Sequence, residues 1–245
     1  MYLKMILITR PKPEANKLKK IIEDLGYTAH IDSLSKIINP KINHNLNFKK
    51  IILISSQRAA KGFIFKHAAP LNVPIIVIGN VSYRIIKSAG YSKILYKAQD
   101  SNQLLKYLSR DFHFLNKKYR GRLLYLTGSV SNQKFINKLN EFGYKVEKKI
   151  VYKTIFKTSF NYSTVQLLKN KKINVCLIYS QKNAEQFSKI VINGNLFNKC
   201  KNLLILTLGR NITQVMKKNG YLRVVNSAQP TQASLIKKLK KLALL

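Results

Sequence analysis

Short apolar runs alternate with polar stretches along the whole chain. Four runs, "MILIT", "IILIS", "IIVIG" and "LLILTLG", are almost continuously apolar. Such runs are typical of parallel strands that are covered by helices on both faces. The stretches between them carry Leu and Ile at helical spacing, as in "ANKLKKIIEDL". The pattern therefore predicts an α/β fold built on doubly wound parallel sheets.

The chain repeats this pattern with an offset of about 120 residues. The stretches 7–34 and 124–152 both read as a strand, a turn with Thr, a polar helix, "GY" and a second strand. Later segments match in the same order, for example "ILISSQRAAKGF" with "LIYSQKNAEQF". The copies run from about 6 to 110 and from about 123 to 241. Two sets of five strands predict two flavodoxin-like sheets, related by an internal pseudo-repeat.

Hydroxyl, amide and glycine residues gather at the turns between strands and helices. In a doubly wound sheet these turns line the binding crevice, and the free N–H groups of each following helix point toward it. Any single hydroxyl most often caps its own helix. Six such turns on two facing domains nevertheless predict a cleft with many anion-sized pockets. The candidate binding residues are Thr9, Arg10, Ser55, Ser56, Gln57, Gly79, Asn80, Ser82, Thr127, Gly128, Ser129, Ser180, Gln181, Gly209, Arg210, Asn211 and Thr213.

The charge balance is strongly basic. Lys and Arg number 45 against 9 Asp and Glu, which gives a net charge of +36. Such a field attracts polyanions, including nucleic acids, anionic membranes and multiply charged small molecules. Most of the basic residues are Lys, however, and Asn and Ile are also abundant, which is the composition of an AT-rich genome. Genome drift and a polyanionic ligand are therefore both open explanations of the charge.

Motifs for metal, cofactor or triad chemistry are missing from the sequence. The two cysteines, Cys176 and Cys200, show no ligand spacing, and there is no G-x-G-x-x-G, P-loop or C-x-x-C. We therefore expect no metal and no cofactor. The apolar runs are too short for a membrane span, and the N-terminus lacks a signal-peptide core, so we expect a cytoplasmic protein with no membrane partner. The 13 tyrosines leave a phenol as a possible acid.

The order of the motifs resembles the uroporphyrinogen-III synthase family of tetrapyrrole biosynthesis. Each motif is weak alone, but their order and spacing cover nearly the whole chain. The matching positions are Thr9, Arg10 and Pro11; Ser55 and Ser56; Ile78, Gly79, Ser82 and Tyr83; the "LYLTG" strand end; Val151, Tyr152, Lys153 and Thr154; Ser180; Gly209 to Thr213; and Pro230 with Thr231.

The resemblance implies how the two domains are connected. One domain would comprise about 1–34 and 155–245, and the other, 38–149, would be inserted into it. The linker strands would lie near 33–39 and 149–154. The repeated opening stretch would then be the first βαβ unit of each domain.

The resemblance also implies a reaction, that of a hydro-lyase in haem biosynthesis. The family's substrate, hydroxymethylbilane, is a linear tetrapyrrole with eight carboxylates, which suits a basic cleft lined by helix N-termini. It loses its terminal hydroxyl as water and closes to uroporphyrinogen III, with ring D inverted through a spiro intermediate and without a metal or cofactor. Tyr152 is then the candidate acid, and its alternative role is a linker aromatic. A transient hand-off from the bilane-forming enzyme and a monomeric state are further expectations.

Four positions depart from the family pattern. Gln57 and Gln181 stand where the family often has Ser-Pro, Tyr83 replaces a small residue in the first copy, and Ile212 displaces the hydroxyl of Thr213 by one position. These departures leave open a degenerate, non-catalytic homologue. The charge of +36 leaves open a protein that binds nucleic acid or another polyanion, and two such sheets could also form a two-domain receptor for an anionic small molecule. Specific nucleic-acid binding is not expected, because no basic stripe with interleaved aromatics and no known reading module appears.

Overall fold

The computed structural model describes residues 4–38, 49–66, 69–129 and 131–243. Within them, strands and helices alternate, and parallel sheets form, as the hydrophobic pattern predicts. The α/β class with parallel sheets is therefore confirmed. The chain divides into two compact units: unit 1 comprises Met1–Lys36 and Ile155–Leu245, and unit 2 comprises Ile37–Thr154.

Short strands and amphipathic helices follow one another along the chain. The strands are β1 (Met5–Ile8), β2 (Thr28–Ile31), β3 (Ser35–Ile38), β4 (Ile51–Ile54), β5 (Ile75–Ile78), β6 (Ile94–Ala98), β7 (Arg122–Gly128), β8 (Lys145–Phe156), β9 (Ile173–Ile178), β10 (Leu204–Thr207) and β11 (Val224–Asn226). The helices are α1 (Lys12–Glu23), α2 (Gln57–Lys66), α3 (Asn80–Ser88), α4 (Ser101–Arg110), α5 (Phe112–Tyr119), α6 (Gln133–Glu141), α7 (Tyr162–Lys169), α8 (Gln181–Asn193), α9 (Phe197–Cys200), α10 (Arg210–Lys218) and α11 (Gln232–Ala243).

Each unit is built on its own sheet. In unit 1 the strand order is β11-β10-β9-β1-β2, and every pairing is parallel. The sheet of unit 2 has the order β3-β8-β7-β4-β5-β6, and its strands from β8 to β6 are parallel. Apolar side chains cover both faces of each sheet, which explains the continuous apolar runs.

The strand order reverses once in each sheet. In unit 1 the chain passes from β1 to β2 on one side, whereas β9 to β11 lie on the other. In unit 2 it passes from β4 to β5 and β6 on one side, whereas β7 and β8 lie on the other. Ligands of open α/β sheets bind outside the carboxyl ends of the strands at such a reversal. We therefore expect the candidate sites at the turns after β1 and β9 in unit 1, and after β4 and β7 in unit 2.

The repeated "GY" pairs mark helix ends. Gly143 and Gly220 have φ values of +87° and +86°, which only glycine adopts without strain, and each stops a helix. A methyl group on Gly143 would lie 2.7 Å from the ring of Phe112, so the turn is also tightly packed. The following Tyr144 and Tyr221 are buried in the cores of their units. The motif therefore ends a helix and anchors the next segment.

Both cysteines are buried in the core of unit 1. Cys176 lies on β9 and Cys200 ends α9, and neither side chain is exposed. Burial raises the pKa of Cys176, and it raises that of Cys200 to about 12. Both are therefore neutral thiols with a packing role. In the part of the chain that the structure describes, no helix combines the length and apolar character that crossing a bilayer requires.

A surface ion pair in unit 2 gives a pH-dependent contribution to stability. Arg110 donates to Asp111 through Nε at 2.7 Å and Nη2 at 3.0 Å, and the Tyr96 hydroxyl donates at 2.5 Å. These bonds, led by those from Arg110, lower the pKa of Asp111 from 3.8 to about 2. The stabilisation is thus complete above pH 3.8 and is lost as the pH falls toward 2.

We expect Asp111→Asn to remove this pH dependence. Between pH 4 and 2, the urea midpoint of the wild type should fall more steeply than that of the variant, because only the wild type must protonate this carboxylate. The exposed Asp24→Asn serves as the control. Equal slopes for the wild type and Asp111→Asn would contradict the assignment.

Candidate functional site

The reversal in unit 2 brings two polar turns together. The ends of β4 and β7 are in register, with Ile54 opposite Leu126. Ser55 and Ser56 follow β4, while β7 ends at Gly128 and leads into Ser129. These residues are half-buried, except for Gly128, which is buried. The two turns therefore form one surface at the carboxyl edge of this sheet.

Tyr152 lies across this surface. Its hydroxyl is 3.5 Å from Oγ of Ser56, which is a long hydrogen bond. Its ring covers Gly128 so closely that a methyl group there would lie 2.4 Å from Cε2 and 2.5 Å from Cζ. Gly128 is therefore required by the position of the Tyr152 ring.

Ser56 is arranged so that it can donate to Tyr152. Its Oγ accepts the N–H of Ala59 at 3.1 Å, which caps the start of α2. Its hydroxyl proton remains available for the phenol oxygen at 3.5 Å. In that arrangement the proton of Tyr152 is free to point to a ligand.

The backbone of Tyr152 is also held in place. The N–H of Ser129 donates to the carbonyl of Tyr152 at 3.0 Å, and Oγ of Ser129 accepts the N–H of Thr154 at 3.2 Å. Beside them, Ser55 shares a 2.7 Å hydrogen bond with the hydroxyl of the buried Tyr125. These hydrogen bonds hold the backbone around Tyr152 and the neighbouring Ser55 in defined positions.

The turn after β5 leaves a helix start open. Gly79 adopts a φ of +89°, and its N–H donates to the carbonyl of Ala98 at 2.8 Å. Asn80 is exposed at the start of α3, while the side chain of Ser82 is buried. The first N–H groups of α3 thus face the carboxyl edge, where free helix donors favour an anion.

The reversal in unit 1 has Thr9 and Arg10 at its centre. Thr9 is fully buried, and its hydroxyl donates to the carbonyl of Leu177 at 2.7 Å. Arg10 donates from Nη1 to Oε1 of Gln232 at 2.8 Å, and its guanidinium lies 4.3 Å from the ring centre of Tyr179. The hydroxyl of Thr9 therefore links the end of β1 to β9. Arg10 is a half-buried cation held at the carboxyl ends of these two strands.

The next turn, after β9, is both capped and exposed. Ser180 accepts the N–H of Asn183 at 3.2 Å and so caps α8. The side chains of Ser180 and Gln181 are both exposed to solvent. The structure therefore leaves both polar groups accessible at the start of a 13-residue helix.

In the turn after β10, the hydroxyl of Thr213 points into the core and not to solvent. Thr213 is buried, and its Oγ1 is 2.6 Å from that of Thr207. Arg210 and Asn211 are exposed at the start of α10, and Gly209 precedes them in extended backbone. The one-residue displacement at Ile212 thus accompanies an inward-facing Thr213, and the exposed polar groups here are Arg210 and Asn211.

Two predicted site residues, Thr127 and Gln57, remain to be described. Thr127 is buried near the end of β7, and Gln57 is half-buried at the start of α2. In the described ranges, no group of three or more His, Cys, Asp and Glu side chains gathers as a metal would require. Among these candidates, hydroxyls, amides and two arginines lie at the carboxyl edge of unit 1, and hydroxyls and amides lie at that of unit 2.

Sequence reasoning missed four side chains that support these turns. They are Tyr125, Tyr179, Thr207 and Gln232. Tyr125, Tyr179 and Gln232 each contact a predicted residue that lies in a distant part of the sequence. Thr207 instead ends β10 and contacts Thr213 in the helix that follows. Gln232 alone had a signal, since it directly follows the "PT" pair of the family pattern.

The fold and these turns have the architecture of a doubly wound α/β protein that takes its ligand at the carboxyl edge of parallel sheets. A family model described as uroporphyrinogen-III synthase HemD matches residues 16–237. The chain therefore belongs to the uroporphyrinogen-III synthase family, and the resemblance drawn from its motifs is confirmed.

Solved structures share the fold. A mutant uroporphyrinogen III synthase from Thermus thermophilus is 14% identical, with a TM-score of 0.64 over 98% of this chain and 99% of that one. The uroporphyrinogen-III synthetase of Helicobacter pylori is 13% identical, with a TM-score of 0.63 over 98% of this chain and 100% of that one. No curated protein sequence matches the chain significantly.

Proposed function

We propose that this protein converts hydroxymethylbilane to uroporphyrinogen III, as a hydro-lyase of haem biosynthesis. The family match over residues 16–237 carries the proposal. The position of Tyr152 supports it, because a phenol 3.5 Å from Ser56 at a sheet reversal is placed as an acid would be.

The division into two units supports a finer description of the fold. We propose that they are flavodoxin-like domains, 1–34 with 155–245 and an inserted 38–149, joined by strands near 33–39 and 149–154. Both sheets have equivalent orders, β2-β1-β9-β10-β11 and β8-β7-β4-β5-β6. Each order joins the first two strands of one repeat copy to the last three of the other. An internal duplication with exchanged halves accounts for this arrangement.

The exposed turns suit a substrate with many carboxylates. Arg10, Asn80, Ser180, Gln181 and Arg210 offer charged or polar donors at the carboxyl edges of their sheets. Free N–H groups at the helix starts add donors to the same edges. The buried hydroxyls of Thr9, Ser82, Thr127 and Thr213 instead shape the turns.

The chemical step requires the loss of a hydroxyl and then ring closure. The O–H of Tyr152 donates its proton to the departing hydroxyl, which leaves as water with the electron pair of its C–O bond. Ser56 stabilises the phenol oxygen by donating to it. The last pyrrole is then inverted through the spiro intermediate. Holding the folded bilane contributes more to the rate than this single proton.

The proposed reaction also has implications for cofactors, cellular compartment and substrate delivery. No step of it requires a metal or cofactor. The free, buried Cys176 and Cys200 agree with a reducing compartment, so we place the protein in the cytoplasm. The substrate would arrive by transient contact with the bilane-forming enzyme, because the open-chain bilane also cyclises spontaneously.

A product assay tests this function directly. Freshly made hydroxymethylbilane is supplied, the products are oxidised, and the type I and type III isomers are separated. We expect type III in excess of the type I that forms spontaneously. Type I alone from folded protein would overturn the function and leave a non-catalytic homologue of the family.

Gly128→Ala tests the placement of the phenol without removing it. The new methyl group would overlap the ring of Tyr152 at 2.4 Å, so the ring must move. We expect kcat to fall about tenfold, because a displacement of about 1 Å commonly costs that much or more. Gly62→Ala in α2 is the control, since its methyl group would be 3.6 Å from its nearest neighbour. Equal kcat values for both variants would contradict the placement.

A further inference from the structure

Three cations form a row at the amino edge of the sheet in unit 2, opposite to the candidate site. Arg122 starts β7 and is in register with Lys145, which starts β8. Lys50 precedes β4, whose Ile51 is in register with Leu123, so Lys50 continues the row on the other side of Arg122. Because side chains alternate along strands, all three leave the same face of the sheet.

This row has more positive charge than its surroundings neutralise. Glu147 pairs with Lys50, and this bond lowers the pKa of Glu147, which therefore stays ionised. In the described part of the chain, neither Arg122 nor Lys145 has an acidic partner. Like charges on directly opposed strand positions destabilise a sheet. The three cations and one acid leave two net positive charges uncompensated.

A cavity lies among these same side chains. It measures about 300 Å³ and is lined by Lys50, Arg122, Lys145, Val146 and Glu147. The side chain of Lys50 is only 16% exposed, so its charge is partly withdrawn from water. Arg122 and Lys145 are exposed, so the cavity is open to solvent, and the partly desolvated Lys50 lies on its wall.

We propose that this cavity binds the dianion of a phosphate group, either free phosphate or a small phosphomonoester. Such a group carries about two negative charges at neutral pH, which matches the uncompensated charge of the row. The guanidinium of Arg122 offers two parallel N–H donors, and Lys145 adds a point charge. A bound dianion would relieve the repulsion between the two strand starts.

The size of the cavity separates this ligand from the substrate of the reaction. Pockets that hold whole small molecules have volumes of about 300 Å³ or more. A linear tetrapyrrole with eight carboxylates is too large for a cavity at this lower limit. The amino and carboxyl edges are also at opposite ends of the strands. The phosphate site is therefore a second site within unit 2, and its occupancy does not depend on catalytic turnover.

Calorimetric titration of the whole 245-residue chain with inorganic phosphate tests the proposal. We expect Arg122→Gln/Lys145→Gln to raise the Kd for phosphate at least about tenfold, since two charge-assisted contacts are lost. The Lys50–Glu147 pair is kept in this variant so that the fold is preserved. The matched control, Lys237→Gln/Lys240→Gln on α11, removes the same charge and should change the Kd less than about twofold.

Further titrants distinguish the source of the phosphate. Tighter binding of glycerol 3-phosphate would identify a phosphomonoester, whereas equal or weaker binding would identify free phosphate. Tighter binding of citrate than of either would overturn the phosphate class. Equal losses in the test and control variants, or no binding by the wild type, would overturn the site.

A stability measurement in phosphate-free buffer gives an independent readout. The variant Arg122→Gln should unfold at a higher temperature than the wild type, because it relieves the repulsion. Its thermal shift on adding phosphate should be smaller. A lower unfolding temperature together with an unchanged shift would contradict the proposal. Neither readout uses hydroxymethylbilane, so failure here is separate from failure of the proposed reaction.

Discussion

Tyr152→Phe is expected to lower kcat for uroporphyrinogen III about 100-fold, the lower end of what a positioned general acid contributes. The substitution removes one oxygen, while the ring stays against Gly128 and keeps its packing. KM should change little, because the proposed carboxylate contacts are made by other residues. The measurement is the initial rate of type III formation, corrected for spontaneous type I.

The expected loss has a definite cause. In the proposed mechanism, loss of the phenol removes the proton donor for the departing hydroxyl, and the nearby hydroxyl of Ser56 is 3.5 Å from the phenol oxygen. The matched control is Tyr162→Phe at the start of α7, where the side chain is 78% exposed. A Tyr152→Phe enzyme with the kcat of this control would show that Tyr152 is a packing residue of the β8 strand.

Asp32→Ala is expected to destabilise unit 1 by about 3 kcal/mol, the lower end for a buried ion pair, because the carboxylate is fully buried but its partner Lys157 is 36% exposed. Asp32 is fully buried directly after β2. Its carboxylate accepts from Nζ of Lys157 at 2.6 Å, from the N–H of Asn161 at 2.8 Å and from the hydroxyl of Thr164 at 2.7 Å. Alanine would leave these three donors without their acceptor.

The network also fixes the neighbouring imidazole. The single hydroxyl proton of Thr164 goes to Asp32, so the 2.8 Å contact with His30 requires an N–H donated from Nε2. Burial lowers the pKa of His30. Loss of Asp32 would therefore release His30 as well, and the effect would extend to β2 and α7.

Hydrogen exchange can locate this effect, and urea unfolding can measure it. Amides of β2 and α7 should lose protection in Asp32→Ala, while those of unit 2 keep theirs. The exposed Asp24→Ala is the control and should stay within about 0.5 kcal/mol of the wild type. Unchanged protection of α7 would contradict the role of the network.

Much of the fold was predictable because burial and helix ends act locally. The continuous apolar runs predicted the parallel strands, and each "GY" pair follows a helix end, at Gly26, Gly90, Gly143 and Gly220. The polar turns were predictable too, since each follows directly after its strand. These signals span only a few residues, so pattern alone reveals them.

Contacts between distant residues were not predictable in this way. The hydrogen bond between Ser55 and Tyr125 joins positions 70 residues apart, and it depends on the register of β4 with β7. The row of Lys50, Arg122 and Lys145 depends on the register of three strands. Tyr152 was singled out by the family resemblance and not by periodicity. Its place beside Gly128 emerged only once the strands were paired.

The inserted arrangement of the units has a consequence for synthesis on the ribosome. Unit 2 is continuous from Ile37 to Thr154, so it is complete as soon as that stretch has emerged. Strand β1 must instead wait for β9, its neighbour in the sheet, which ends at Ile178. At ordinary elongation rates this delay lasts roughly ten to thirty seconds. During that time the first βαβ segment presents an apolar strand with one unpaired edge, to which a chaperone can bind while the second half is made.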